Sequence, residues 1–229
     1  MIDIHTHILP FVDDGSESVS QSIDMLKEAC SQGVTEVFLT PHSRGEYNKT
    51  SEEVSIVFNE FKNKVKESGI NVNLYLGREI HYTKNTIEKL VSSKVLTLAN
   101  SKFVLVEFDF AHAVDYEELA YKIIRAGYIP IIAHVERYPK MSFDTIEELK
   151  AMGALLQVNA DSITSKTRMG NGRLIDKLFK CELVDFVASD VHYNRKNCML
   201  EAYKKVKRKY GEATAEVVFN LKAKEIIEG

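Results

Sequence analysis

The stretch "YIPIIAH" (residues 128–134) is apolar and rich in β-branched side chains until it stops at His134. A run this short and uniformly apolar reads as a strand covered on both faces, the signature of a parallel sheet. Six further runs of the same kind flank it: "IDIH" (2–5), "VTEVFLTP" (34–41), "VNLYLGRE" (72–79), "FVLVEF" (103–108), "ALLQVN" (154–159) and "VDFVASD" (184–190). Between them the spacing becomes helical. "SVSQSIDMLKEACSQG" places Val19, Ile23, Leu26 and Cys30 on one face, with Ser16 or Ser18 available as N-cap and Gly33 as terminator. Segments 51–68, 115–127, 144–152, 171–182 and 197–209 repeat the pattern. Seven strand–helix units predict an α/β fold, a distorted TIM-like (β/α)7 barrel, with a doubly wound open sheet as the competing arrangement. No Pro/Gly-rich linker or low-complexity segment divides the chain, so residues 1–229 are expected to form a single domain.

Composition narrows the function classes. A chain of 229 residues, 45% of them hydrophobic, buries a sizeable core. A net charge of −3 gives no reason to expect nucleic acid or an anionic membrane surface as partner. No basic segment leads into an apolar stretch, and no run approaches the roughly 20 apolar residues of a membrane span, so the expected location is cytoplasmic. Cys30, Cys181 and Cys198 are odd in number and scattered, which fits reduced thiols. Nothing in the pattern speaks to oligomeric state.

The residues that end the apolar runs carry the chemistry. His5 closes the first, His42 follows the second, Glu79 ends the third, Glu107 the fourth, His134 the fifth, and Asp190 with His192 the seventh. One histidine or glutamate at a strand end is most often solvated or hydrogen-bonded. A set at corresponding positions of a parallel barrel converges on one face, where such barrels keep their active sites. His5 and His7 lie two residues apart, so in an extended segment they point the same way and can grip one ion; Asp190 and His192 repeat the spacing. Imidazole and carboxylate without thiolate suit manganese, zinc or iron(II), and bridging carboxylates permit two or three ions.

The ordered series "MIDIHTHILP" with "DDG", "QGVTEVFLTPH", "GREIHYT", "VLVEF", "PIIAHVERY", "LLQVNADS" and "FVASDVH" resembles the PHP family, the polymerase and histidinol phosphatase phosphoesterases, from residue 1 to about residue 210. Within that family the sequence is similar to the metal-dependent protein-tyrosine phosphatases of bacterial capsule and exopolysaccharide loci, a branch indicated by "AHVERY" after an "EF" strand. An HxH pair alone is shared with amidohydrolases. The resemblance implies a barrel of the PHP type with three metal sites. His5, His7, Glu79 and Asp190 would hold the first ion, Glu79 would bridge to a second held by Glu107 and His134, and Asp14, His42 and His192 would hold a third. Asp14 rather than the adjoining Asp13 follows from alignment on "DDG". The resemblance also implies catalytic roles for Arg137, matched through "ERY", and Arg195, which lies in a shortened loop. Arg44 is a weaker candidate, read equally well as a solvated loop residue.

The implied reaction is hydrolysis of phosphotyrosine by attack of a metal-activated hydroxide, with manganese as the expected metal and iron or zinc as alternatives. The implied partner is a phosphotyrosine protein, a bacterial tyrosine kinase of polysaccharide synthesis, through which capsule or exopolysaccharide formation would be regulated. A PHP phosphatase for a small phosphomonoester such as histidinol phosphate is the nearest alternative. A non-catalytic metal-binding regulatory module is an alternative of another class, against which the complete ligand set argues. A cysteine mechanism is excluded directly, since Cys30, Cys181 and Cys198 are followed six positions later by Glu36, Val187 and Lys204, where cysteine-dependent tyrosine phosphatases carry arginine. Among remaining features, "MGNGR" (169–173) lacks a P-loop ending and reads as a turn before a helix. His81 and His112 are candidates for extra ligands, but Ile80 and Ala111 separate them from the proposed site and they read rather as solvated, while "KKVKRK" (204–209) reads as an exposed helix face rather than a binding patch. Phe108, Phe110 and Tyr138 lie near the mouth, packed either in the core or against a substrate ring.

Overall fold

The structure, a computed structural model, describes residues 1–112, 114–164 and 172–229. Among them run the strands β1 (Ile2–Thr6), β2 (Glu36–Leu39), β3 (His42–Ser43), β4 (Asn73–Leu76), β5 (Glu79–His81), β6 (Phe103–Glu107), β7 (Ile129–Ile132), β8 (Leu155–Asn159) and β9 (Phe186–Ala188). β2 and β3 are one predicted strand broken at Thr40–Pro41, and β4 and β5 another broken at Gly77–Arg78, which leaves seven staves. One sheet runs β1–β2–β4 and the other β3–β5–β6–β7–β8–β9, with every pairing parallel. The last stave returns to the first: Asp190 N–H donates to the His5 carbonyl and His7 N–H to the Val191 carbonyl. This is the distorted (β/α)7 barrel, not the open doubly wound sheet.

The connecting helices are α1 (Val19–Ser31), α2 (Ser51–Glu67), α3 (Thr86–Val91), α4 (Tyr116–Arg125), α5 (Phe143–Ala151), α6 (Ala160–Thr164), α7 (Gly172–Lys180), α8 (Met199–Tyr210), α9 (Glu212–Glu216) and α10 (Lys222–Glu228). Local chemistry sets their starts. Ser18 accepts from Gln21 N–H to cap α1, Thr50 and Glu53 form a capping box on α2, and Asp115 and Ser142 cap α4 and α5. Residues 169–171 of "MGNGR" lie outside the described residues, and Gly172 opens α7. α3, α6 and the C-terminal segment were not legible as helices in the sequence pattern.

The period of two along each stave sorts side chains into two cores. Val37, Val104, Ile132, Leu156 and Val187 face outward onto the helices. Ile2, Ile4, Phe38, Phe103, Leu105, Ile131, Phe186 and Ala188 fill the interior, where Ala223 and Ile226 of α10 close the N-terminal end. Gly77 makes room for this filling, because a Cβ there would stand 2.6 Å from Leu98 Cδ2. On β1, Asp3 pairs with Val37 and Thr6 with Leu39, three residues against two. This bulge turns both Ile4 and His5 inward, so the stave changes from apolar to polar within a single step.

Candidate metal centre

The polar layer begins two residues beyond the apolar one on the same staves: Leu105 precedes Glu107, Ala188 precedes Asp190, and Tyr75 leads through Gly77 to Glu79. His134 and Asp190 both hold left-handed backbone, with φ of 36° and 50°. Such a conformation costs on the order of 1–3 kcal/mol for a non-glycine residue, and surrounding contacts must enforce it.

All nine sequence-predicted metal ligands come together here. His5 Nε2 lies 3.2 Å from His7 Nε2. Glu79 Oε1 and Asp190 Oδ1 stand 3.4 and 3.6 Å from the former nitrogen, and Glu79 Oε2 and Asp190 Oδ1 stand 3.5 and 3.3 Å from the latter. Glu79 Oε1 is also 2.9 Å from His134 Nε2, which is 3.7 Å from Glu107 Oε1. At the other end Asp14 Oδ1 lies 3.4 Å from His42 Nε2 and 3.5 Å from His192 Nε2. Four overlapping donor groups result: His5, His7 and Asp190; His5, Glu79 and His134; His42, Glu79 and Glu107; and His7, Asp14, His42 and His192. Eight of the nine residues are buried, and Asp14, with its side chain 42% exposed, stands at the opening.

Such a cluster fits divalent cations better than it fits itself. Glu79 Oε2 is buried without a hydrogen bond, although His42 Nδ1 comes within 2.5 Å of it. Buried lone pairs that face one another are costly unless positive charge lies among them. Burial opposes ionisation of Glu79 and Asp190, yet His5, joined by His42 at the first and His7 at the second, holds both carboxyls well below the ordinary range. Burial also opposes charge on His5 and His7, but Glu79 and Asp190 raise the first, and Asp13 helps raise the second well above the usual value. Burial and the neighbouring His7 push His192 down to about 4. Metal binding at this centre therefore competes with protons.

The positioning residues were the part missed in the sequence. Asp13 and Asp14 adjoin but turn opposite ways. Asp13 Oδ2 accepts from His7 Nδ1 at 2.6 Å and His42 N–H at 2.8 Å, and Oδ1 accepts from Gly15 N–H at 3.0 Å, while Asp14 faces the centre. Gly15 is required by close approach, since a Cβ would fall 1.9 Å from the His7 carbonyl oxygen. On β8, Gln157 Oε1 lies 3.1 Å from His5 Nδ1 and accepts from His134 N–H at 2.9 Å. Its amide donates to Asn159 Oδ1, whose own amide donates to Asp190 Oδ2. The spacing of Gln157 and Asn159 repeats that of His5 and His7, a signal present in "LLQVN" but attached to no role.

Arg137 Nη1 is 3.1 Å and Arg195 Nη1 3.4 Å from Asp190 Oδ2, and Arg44 Nη1 is 3.1 Å from Glu107 Oε2. Each guanidinium keeps part of its surface open to solvent. His81 departs from its solvated reading: it pairs in register with Glu107, and its Nδ1 lies 3.1 Å from Glu107 Oε2. His112 is exposed and bonded to Asp109. Phe108 and Tyr138 are core residues, while Phe110 stacks on Tyr138 at 4.9 Å with the Arg137 guanidinium 5.4 Å from its ring centre.

Residues 1–228 match the family described as capsular polysaccharide synthesis, CpsB/CapC. The chain is 37% identical over 196 residues to a putative tyrosine-protein phosphatase CapC of Staphylococcus aureus, which covers 84% of this chain and 77% of that one. It is 32% identical to the tyrosine-protein phosphatase CpsB of Streptococcus agalactiae across 100% of this chain and 98% of the relative. A solved structure from work on YwqE of Bacillus subtilis and CpsB of Streptococcus pneumoniae, described as metal-dependent tyrosine phosphatases, superposes with a TM-score of 0.87 at 29% identity, covering 94% of this chain and 90% of that one. The family match runs past residue 210, where the sequence resemblance ended, to the end of the plug helix α10, and the chain belongs to the CpsB/CapC family of capsular polysaccharide synthesis.

Proposed function

We propose that the protein is a metal-dependent protein-tyrosine phosphatase, acting as one PHP-type phosphoesterase domain over residues 1–229. The observation that carries this reading is the convergence of five imidazoles and four carboxylates on the open end of the barrel, beside two arginines that remain partly exposed. His5, His7, Glu79 and Asp190 would hold one ion, Glu79 with Glu107 and His134 a second, and Asp14, His42 and His192 a third. The donor set would take two or three ions per chain, with manganese preferred over iron or zinc. When bound, they lower the pKa of water and withdraw charge from the phosphoryl oxygens. Asp13 and Gln157 fix the ring orientations of His7 and His5, so that each presents Nε2 to the centre. Arg137 and Arg195 offer planar forks to the phosphoryl oxygens, a geometry suited to phosphate in pairs. Relatives named as tyrosine-protein phosphatases support phosphotyrosine as the substrate class. The family's description ties the phosphoprotein to capsular polysaccharide synthesis, and within that setting we propose a tyrosine kinase as the physiological partner.

The test is to compare metal-loaded enzyme on phosphotyrosine peptides, phosphoserine peptides and histidinol phosphate. Turnover should favour phosphotyrosine, vanish on chelation and return with Mn²⁺. Full activity after exhaustive chelation, or a preference for histidinol phosphate, overturns the reading.

A further inference from the structure

A cleft of about 460 Å³ opens beside the metal centre, between the loop after β3, the start of α2 and the segment around α3. Its inner wall contains Arg44 and His81, each 3.1 Å from Glu107 Oε2, so the cleft begins one hydrogen bond away from a metal-site carboxylate. Further out it is lined by Lys49, Lys89 and Lys94, all exposed, and among the described residues Glu52 is the one carboxylate in the lining. The neighbouring Glu53 is held by Thr50 in the capping box. Among the described residues none of these three ammonium groups has a carboxylate within 4.0 Å. In a chain of net charge −3, the cleft is a local reversal of sign that adjoins the centre, within reach of the residues flanking a phosphotyrosine bound there.

We propose that this cleft is a substrate subsite that receives acidic residues flanking the phosphotyrosine, so that the enzyme selects acidic phosphopeptides. The proposal rests on the phosphatase reading above and adds what surrounds the scissile group. The inner end has Arg44 already committed to Glu107, so the discriminating charge comes from the three lysines. A clustered field inside a concave surface steers and orders an oppositely charged segment more than the same charges scattered over a convex one, and it weakens with salt. A single exposed pair contributes little, whereas three acting on one peptide are expected to change kcat/KM about tenfold.

The test uses the full chain loaded with Mn²⁺ and three substrates: one phosphotyrosine peptide with Asp and Glu flanks, its counterpart with Ser and Gly flanks, and p-nitrophenyl phosphate. Wild type should prefer the acidic peptide about tenfold through KM, and that preference should shrink as NaCl is raised. The triple variant Lys49→Gln, Lys89→Gln, Lys94→Gln should lose the preference while keeping wild-type turnover of p-nitrophenyl phosphate and an unchanged melting temperature. Equal kcat/KM for the two peptides in wild type overturns the proposal, and so does a triple variant that still prefers the acidic one. Because the wild-type comparison and its salt dependence need no variant, the conclusion does not depend on how the variant folds. A wild type inactive on all three substrates overturns the phosphatase reading, and this proposal with it.

Discussion

At its N-terminal end the barrel is filled by Ile2, Phe103 and Phe186 and closed by Ala223 and Ile226 of α10; at the opposite end the same three staves carry His5, Glu107 and Asp190. The apolar end gains free energy from burial alone. The polar end loses solvation on burial, and recovers it only through mutual pairing and a bound cation. One architecture thus separates two duties by height along a stave, and substitutions at the two ends should fail in different ways.

The largest effect is expected at the shared carboxylate. Glu79→Gln should lose bound metal and reduce kcat beyond the roughly 100- to 1000-fold that loss of one electrostatic stabiliser costs, while the protein stays folded. Elemental analysis alongside steady-state kinetics checks this, and near-normal turnover at unchanged metal content would place the bridge elsewhere. At the closed end, Ile226→Ala should cost about 2–5 kcal/mol in denaturant unfolding, with metal content and kcat of the folded protein unchanged. If metal affinity fell with it, the two ends would be coupled and the separation of duties wrong. Arg137→Ala should keep its metals and its thermal stability yet lose on the order of 2.7–4 kcal/mol of transition-state stabilisation, read as kcat/KM on phosphotyrosine. Arg137→Lys should restore only part, because an ammonium lacks the paired geometry. The smallest effect belongs to Asp13→Asn. By loosening His7 it should weaken metal affinity about 10- to 100-fold in a competition titration, with little change in melting temperature. An Asp13 variant that binds metal as wild type does would reduce that carboxylate to a loop tether.

The seven staves and the polar residues at their ends were legible because both follow from local period and position: an apolar run that stops at His134 or Glu107 announces the strand and its end together. The interruptions were not. The break at Gly77 and the extra residue on β1 depend on neighbours distant in sequence, Leu98 beneath Gly77 and Leu39 on the adjoining strand beside Thr6. The sequence shows His81 only as a solvated group because its partner Glu107 lies on the adjoining strand, a relation set by register and invisible in spacing. Asp13 and Asp14 could be told apart only by alignment, since their divergence depends on the positions of His7 and His42 in space. The plug escaped notice because residues 212–228 form three short pieces, α9, the π-helical Val217–Leu221 and α10, none long enough to show a clear apolar stripe.

The closing contact between the first stave and the last also sets a clock on the making of the protein. Ser189 N–H donates to Asp3 Oδ1 across 186 residues of chain, and among the described residues the edge of β1 facing it has no other strand to pair with. At synthesis rates of roughly 5–20 residues per second, that edge waits on the order of 10–40 s before its partner exists. Throughout that interval His5 and His7 are already made while Asp190 is not, so the nascent chain carries an open strand edge and half a chelator, a template for a wrong strand or a trap for a stray ion.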